Sequence, residues 1–162
     1  MAKSKKGAIK VKGLFRLNVI NPNGKVIGDS GWRHNSITDN GFQQFLMYLL
    51  AGSAGSIRPG YAALGTGTAA STNSTLVGQL TETGCKVALT TGISGSKIVV
   101  YTFTVASGTL AAASTIQNVG LYYYTAQSQA NANGTMMACT TYATSSLATN
   151  QAVNGTYQII FG

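Results

Sequence analysis

The residues able to move protons or bind metal are few in this chain. Asp29, Asp39 and Glu82 are its three carboxylates, His34 its one histidine, and Cys85 and Cys139 its two thiols. Catalysis by paired carboxylates needs two acids in one cleft with divergent pKa values, and three scattered acids offer almost no combinations. Asp39 is accounted for as a helix-start residue and Asp29 follows a turn. A nucleophilic triad would have to use His34 with Asp29 or Asp39, yet no serine stands in a nucleophile-elbow context. One histidine and two distant cysteines give neither C-x-x-C nor H-x-x-x-H spacing, so no zinc site is expected. Gly65-Thr66-Gly67 lacks both the third glycine of a dinucleotide fingerprint and the Gly-Lys-Ser/Thr of a P-loop, and reads as a turn. Asn73, Asn133 and Asn154 each open an N-x-Ser/Thr triplet, also read as turn residues. The chain is expected not to be an enzyme, with no cofactor and no small-molecule substrate.

Charge is the stronger signal. The net charge is +8, and Lys3, Lys5, Lys6, Lys10, Lys12 and Arg16 place six cations in the first sixteen residues without an acid. Residues 59–162 carry only Lys86, Lys97 and Glu82. Such a block marks an arm that docks on a negative partner, either nucleic acid or an acidic protein surface. Single-strand binders interleave cations with stacking aromatics. Here Tyr101, Tyr122, Tyr123, Tyr124 and Tyr157 lie in the charge-poor half, so nucleic acid is disfavoured and these rings are assigned to core and interface. The six cations become the candidate partner-binding residues. A body with so few charges also implies cover by neighbouring subunits, hence a homo-oligomer.

The elements that must position these groups are mostly strands. A chain of 162 residues with 20 glycines and 2 prolines fits one mainly β domain. Residues 8–20 alternate, with Phe15, Leu17 and Val19 on one face and room for a bulge at Gly13. Asn21-Pro22-Asn23-Gly24 is a turn returning the chain as an antiparallel strand over Lys25–Asp29. The helix is expected near residues 39–51: Phe42, Phe45, Leu46, Leu49 and Leu50 share one face, Thr38 or Asp39 caps its start and Gly52 closes it. That face is expected to bury, contributing on the order of 10 kcal/mol before ordering entropy. Tyr61–Leu64 is a short strand, and the Ser/Thr/Asn stretch to Ser74 an exposed excursion. Lys86–Thr90 has strand character, and Ile98–Ala106 sets Val99, Tyr101, Phe103 and Val105 on one face. Thr115–Tyr124 is a further strand, with Gly120 a bulge or close-packing point. Asn133-Gly134 introduces a strand over Thr135–Thr144, and Asn154-Gly155 one over Thr156–Phe161. The expectation is an antiparallel, jelly-roll-like β-sandwich over 14–162 behind a basic arm over 1–13. Cations interrupt any secretory run at the start and the longest apolar run, Phe45–Ala51, is short of a membrane span, so a cytoplasmic product with unbridged cysteines is expected.

In order along the chain, VINPNGKVIGD, SITDNGFQQFLMYLLAG, YAALGTGTAAST and TIQNVGLYYY resemble a family of small structural proteins of tailed bacteriophages. That family shows an I-T-(D/N)-x-G helix start, an A-L-G-T-G-T segment and a late T-I-x-x-(V)-G-L strand in the same order. The resemblance spans roughly residues 15–162 and departs at Asn118, often an acid in the family, and in the basic start. It implies a virion building block assembled in the bacterial cytoplasm. The reading that joins it to the charge split is a capsid decoration, or cement, protein. Its cations would lie on the acidic outer surface of the major capsid protein and so stabilise the head. The alternatives are a tail, collar or baseplate subunit and, third, a basic nucleic-acid-binding module.

Overall fold

A computed structural model describes residues 10–42, 59–123 and 135–162. The chain opens with β1 (Val11–Ile20), β2 (Val26–Asp29), β3 (Arg33–His34) and β4 (Ser36–Ile37), then a helical turn α1 (Asp39–Gly41). The remaining strands are β5 (Pro59–Gly65), β6 (Lys86–Ala88), β7 (Thr90–Ile93), β8 (Ile98–Val105), β9 (Ser114–Tyr123), β10 (Met136–Leu147) and β11 (Ala152–Phe161). One sheet runs β2-β1-β11-β8-β7, with β3 also on β1, and the other β4-β10-β9-β5-β6. All pairings are antiparallel.

Alternation decides the faces. Phe15, Leu17 and Val19 from β1, Tyr101, Phe103 and Val105 from β8, and Val153, Tyr157 and Ile159 from β11 bury against Leu64, Val119, Leu121 and Tyr142 of the other sheet in one cluster. Two inward faces sharing one core make a β-sandwich. The chain changes sheets at both edges within a single residue: Asn35 between β3 and β4, and Leu89 between β6 and β7. Leu89 N–H donates to Gly60 O at 2.9 Å, and Asn35 Nδ2 donates to the Tyr157 hydroxyl at 2.9 Å.

The first turn forms as its residues dictate. Asn21 Oδ1 accepts from the N–H groups of Asn23 (3.1 Å) and Lys25 (2.9 Å), while Gly24 takes φ +77°. At the helix start Thr38 is the cap: its buried hydroxyl accepts from Gly41 N–H at 2.9 Å and donates to Met136 O at 2.5 Å. Phe42, expected on the buried face, is 46% exposed. Phe45, Leu46, Leu49, Leu50 and Gly52 lie outside the described residues, as do Tyr124 and the Asn133-Gly134 pair.

Three local readings need correction. The β1–β11 ladder runs in unbroken register from Val11↔Phe161 to Ile20↔Ala152, so Gly13 is not a bulge. A Cβ there would collide with Asn35 and the Tyr157 hydroxyl, and the glycine makes space for the corner residue. Asn154-Gly155 does not begin a strand but sits inside β11, opposite Asn18 and Leu17, and a Cβ at 155 would strike the Phe103 ring. The Ser/Thr-rich stretch is no free excursion either. Ala69 N–H donates to Thr141 Oγ1 (2.9 Å) and Met136 N–H to Ser74 O (2.9 Å), lashing it across the outer face of the second sheet. Leu76 then plugs a second cluster with Ala63, Tyr122, Met136 and Cys139. The molecule is therefore locally three layers deep.

Candidate docking surface

On β1 the period of two sends Lys12 and Arg16 to the outer face of the first sheet, opposite Phe15 and Leu17. Lys10 is tied in by backbone bonds to Gly162, 2.7 Å from its N–H and 2.8 Å to its carbonyl. Hence Lys10 and Lys12 stand on the sheet, and the boundary expected at residue 13 moves back to residue 10. Lys3, Lys5 and Lys6 lie outside the described residues.

Arg16 does not serve as an open docking cation. Its Nε donates to Asp29 Oδ1 at 3.1 Å and its Nη2 to Asp29 Oδ2 at 2.6 Å, a two-pronged pair across the hairpin. Asp29 also accepts from Gly31 N–H at 2.8 Å. The guanidinium hydrogen bond, then that backbone N–H, holds the Asp29 carboxyl below its usual range, while the same pair raises Arg16. The charge of Arg16 is answered within the fold.

In its place the fold brings a cation that sequence reading left out. Phe161 N–H donates to Lys97 O at 3.0 Å, and Phe161 is the register partner of Val11. Lys97 thus reaches the end of the sheet where Lys10 and Lys12 stand, and all three are exposed. Only the pairing of the last strand with β1 on one side and β8 on the other could have disclosed this. Lys86 is different: its Nζ lies 4.9 Å from the Tyr122 ring centre and 5.6 Å from that of Tyr61, and burial lowers its pKa.

The remaining reactive groups are dispersed. Among the described residues no three of His, Cys, Asp and Glu gather in a metal-binding group. His34 is exposed on β3, where its carbonyl accepts from Thr140 Oγ1 at 2.7 Å. Cys85 and Cys139 are buried, unbridged thiols, both pushed up to about 11 chiefly by burial. Tyr101, Tyr122, Tyr123 and Tyr157 are buried. Tyr157 stacks within the core, 4.4 Å from Phe15 and 6.1 Å from Tyr101 between ring centres. These rings are packing elements and give bases no platform.

Apolar groups also reach the surface. Val26 (48% exposed), Ile27 (52%) and Trp32 (44%) follow the β2–β3 edge, and Ile93 at the opposite edge is 82% exposed. Exposed side chains of this kind suit contact with other protein surfaces. Comparison of the chain with protein-family models, curated proteins and solved structures gives no match.

Proposed function

We propose that this chain is a structural virion protein of a tailed bacteriophage, a decoration protein that seats its cationic end on the outer surface of the major capsid protein. The observation that carries the reading is the placement of Lys10, Lys12 and Lys97 at one end of a sheet held by the β1–β11 ladder. Of the other described cations, Arg16 is paired with Asp29 and Lys86 lies against the Tyr122 and Tyr61 rings, while Lys25 and Arg33 belong to the β2–β3 edge. The order of phage-like motifs along the chain supports the same reading, as does a sandwich in which Tyr101, Tyr122, Tyr123 and Tyr157 are spent on packing. A ladder between the first and last strands transmits load from a docking end into the core without a hinge, which suits a cement role.

The test is location. Purified phage particles decorated with an antibody raised against this chain and imaged by electron microscopy are expected to carry label over the head. Label confined to the tail, collar or baseplate moves the chain to that alternative. Absence of label from particles, with the chain recovered on nucleic acid in a salt-sensitive gel shift, removes the virion reading altogether.

A further inference from the structure

Sheet edges present unpaired backbone groups, and proteins blunt them with charge, bulges or brevity. Among the described residues the two sheets have four edges, and three of them are blunted. The β2–β3 edge has a register shift at Val19/Ile20 and carries Lys25, Asp29 and Arg33; β4 is two residues long; β6 carries Lys86. The fourth, β7, is not. Thr90, Thr91, Gly92 and Ile93 are all exposed, and residues 87–96 contain no charge. Ile93 is the most exposed large apolar side chain among the described residues.

The direction of its backbone groups follows from the register. Ser94 N–H donates to Ile98 O at 2.9 Å, and antiparallel pairs alternate between bonded and non-bonded. Gly92 and Thr90 therefore face β8, and the N–H and C=O groups of Thr91 and Ile93 point away from the sheet. We infer that β7 is a pairing strand, and that its occupant is β7 of a second copy, running antiparallel about a two-fold axis at Gly92. In that register Thr91 of each copy faces Ile93 of the other, so all four outward residues exchange both their bonds, as a self-complementary interface requires.

Charge permits this occupant: the β7 edge is neutral, so two copies of a chain carrying +8 can meet there without setting like charges against each other. Four residues a side bury far less than a stable dimer needs, so the pairing is weak in isolation and gains strength wherever copies are held close. The inference is read from the edge itself and does not rest on the capsid reading.

Gly92→Cys tests it. An added Cβ at Gly92 meets nothing within 4 Å, so the variant keeps its fold. Across the two-fold axis the two Cα atoms would stand about 4.5 Å apart, within disulfide range. Under mild oxidation the purified chain is expected to form a covalent dimer at least roughly tenfold faster than Thr104→Cys, an exposed position one strand in from the edge. Buried Cys85 and Cys139 leave the unsubstituted chain as a blank. Thr91→Pro in the Gly92→Cys chain removes an outward N–H at a place where an edge strand tolerates proline, and is expected to abolish the difference with the melting temperature retained. Crosslinking no faster than the Thr104→Cys control, or indifferent to Thr91→Pro, overturns the second copy. So does a crosslink from Gly92→Cys only to another protein on particles, which would assign the edge to a foreign strand.

Discussion

At the scale of single residues, the Arg16–Asp29 pair gives a pH signature whose sign can be worked out. The folded carboxyl of Asp29 lies below its unfolded value, so the unfolded chain binds the proton first as acid is added. The stabilisation is complete above about pH 4 and fades as pH falls through the folded value. The melting temperature of Asp29→Asn should therefore sit below that of the unaltered chain by a constant margin from pH 7 to about 4, then converge with it. A margin that widens in acid would contradict the pairing. Gly155→Ala drives a Cβ into the Phe103 ring and should cost about 1–3 kcal/mol, part of which Phe103→Leu in the same chain returns. Simple additivity in that double-mutant cycle would show that the two do not meet. Cys85 and Cys139 should resist a thiol reagent at pH 8 until the protein unfolds, because burial leaves little thiolate.

At the scale of elements, legibility tracked the range of the interaction. Phe15, Leu17 and Val19, and likewise Tyr101, Phe103 and Val105, show their faces through a period of two that lies within each segment, and the Asn21–Gly24 turn is written in four adjacent residues. Asn154-Gly155 is a dipeptide that suits a turn, but here it makes space for Phe103, a demand that comes from another strand. Gly13 meets a demand of the same kind, its neighbour being Asn35 at the sheet-changing corner. The strap over residues 66–80 was hidden because Ser, Thr and Ala suit exposed loops. Its anchors, Thr141, Met136 and Tyr122, lie in strands much later in the chain. Leu76→Ala should cost about 2–5 kcal/mol, and because Leu76 N–H bonds the buried Tyr122 hydroxyl at 2.8 Å, the loss should lower the main melting transition. A variant that frees the strap to proteolysis with the melting temperature unchanged would make the third layer dispensable.

At the scale of the whole molecule, the candidate site was half legible. Lys10 and Lys12 were readable from the run of charge. The neutralisation of Arg16 and the arrival of Lys97 depend on β1 pairing with β2 on one side and β11 on the other, and on β11 pairing in turn with β8, which no local pattern encodes. Each exposed lysine contributes little alone, since isolated surface ion pairs are worth about 0–1 kcal/mol. Several per copy, repeated over neighbouring copies, add through effective concentration, so docking should be cooperative and sensitive to salt beyond a screening length of about 8–10 Å.

The central claim, that cations at one end of the sandwich dock it on an acidic capsid surface, is tested most directly by the salt-dependent occupancy of purified heads. Lys10, Lys12 and Lys97 would be changed together to Glu and co-sedimentation compared with the unaltered chain from low to molar salt. The account predicts that the charge-reversed chain is lost from heads at low salt, with its melting temperature retained, and that rising salt progressively releases the unaltered chain. Equal occupancy of both chains at every salt concentration would contradict it and move attachment to the exposed apolar edge at Val26, Ile27 and Trp32.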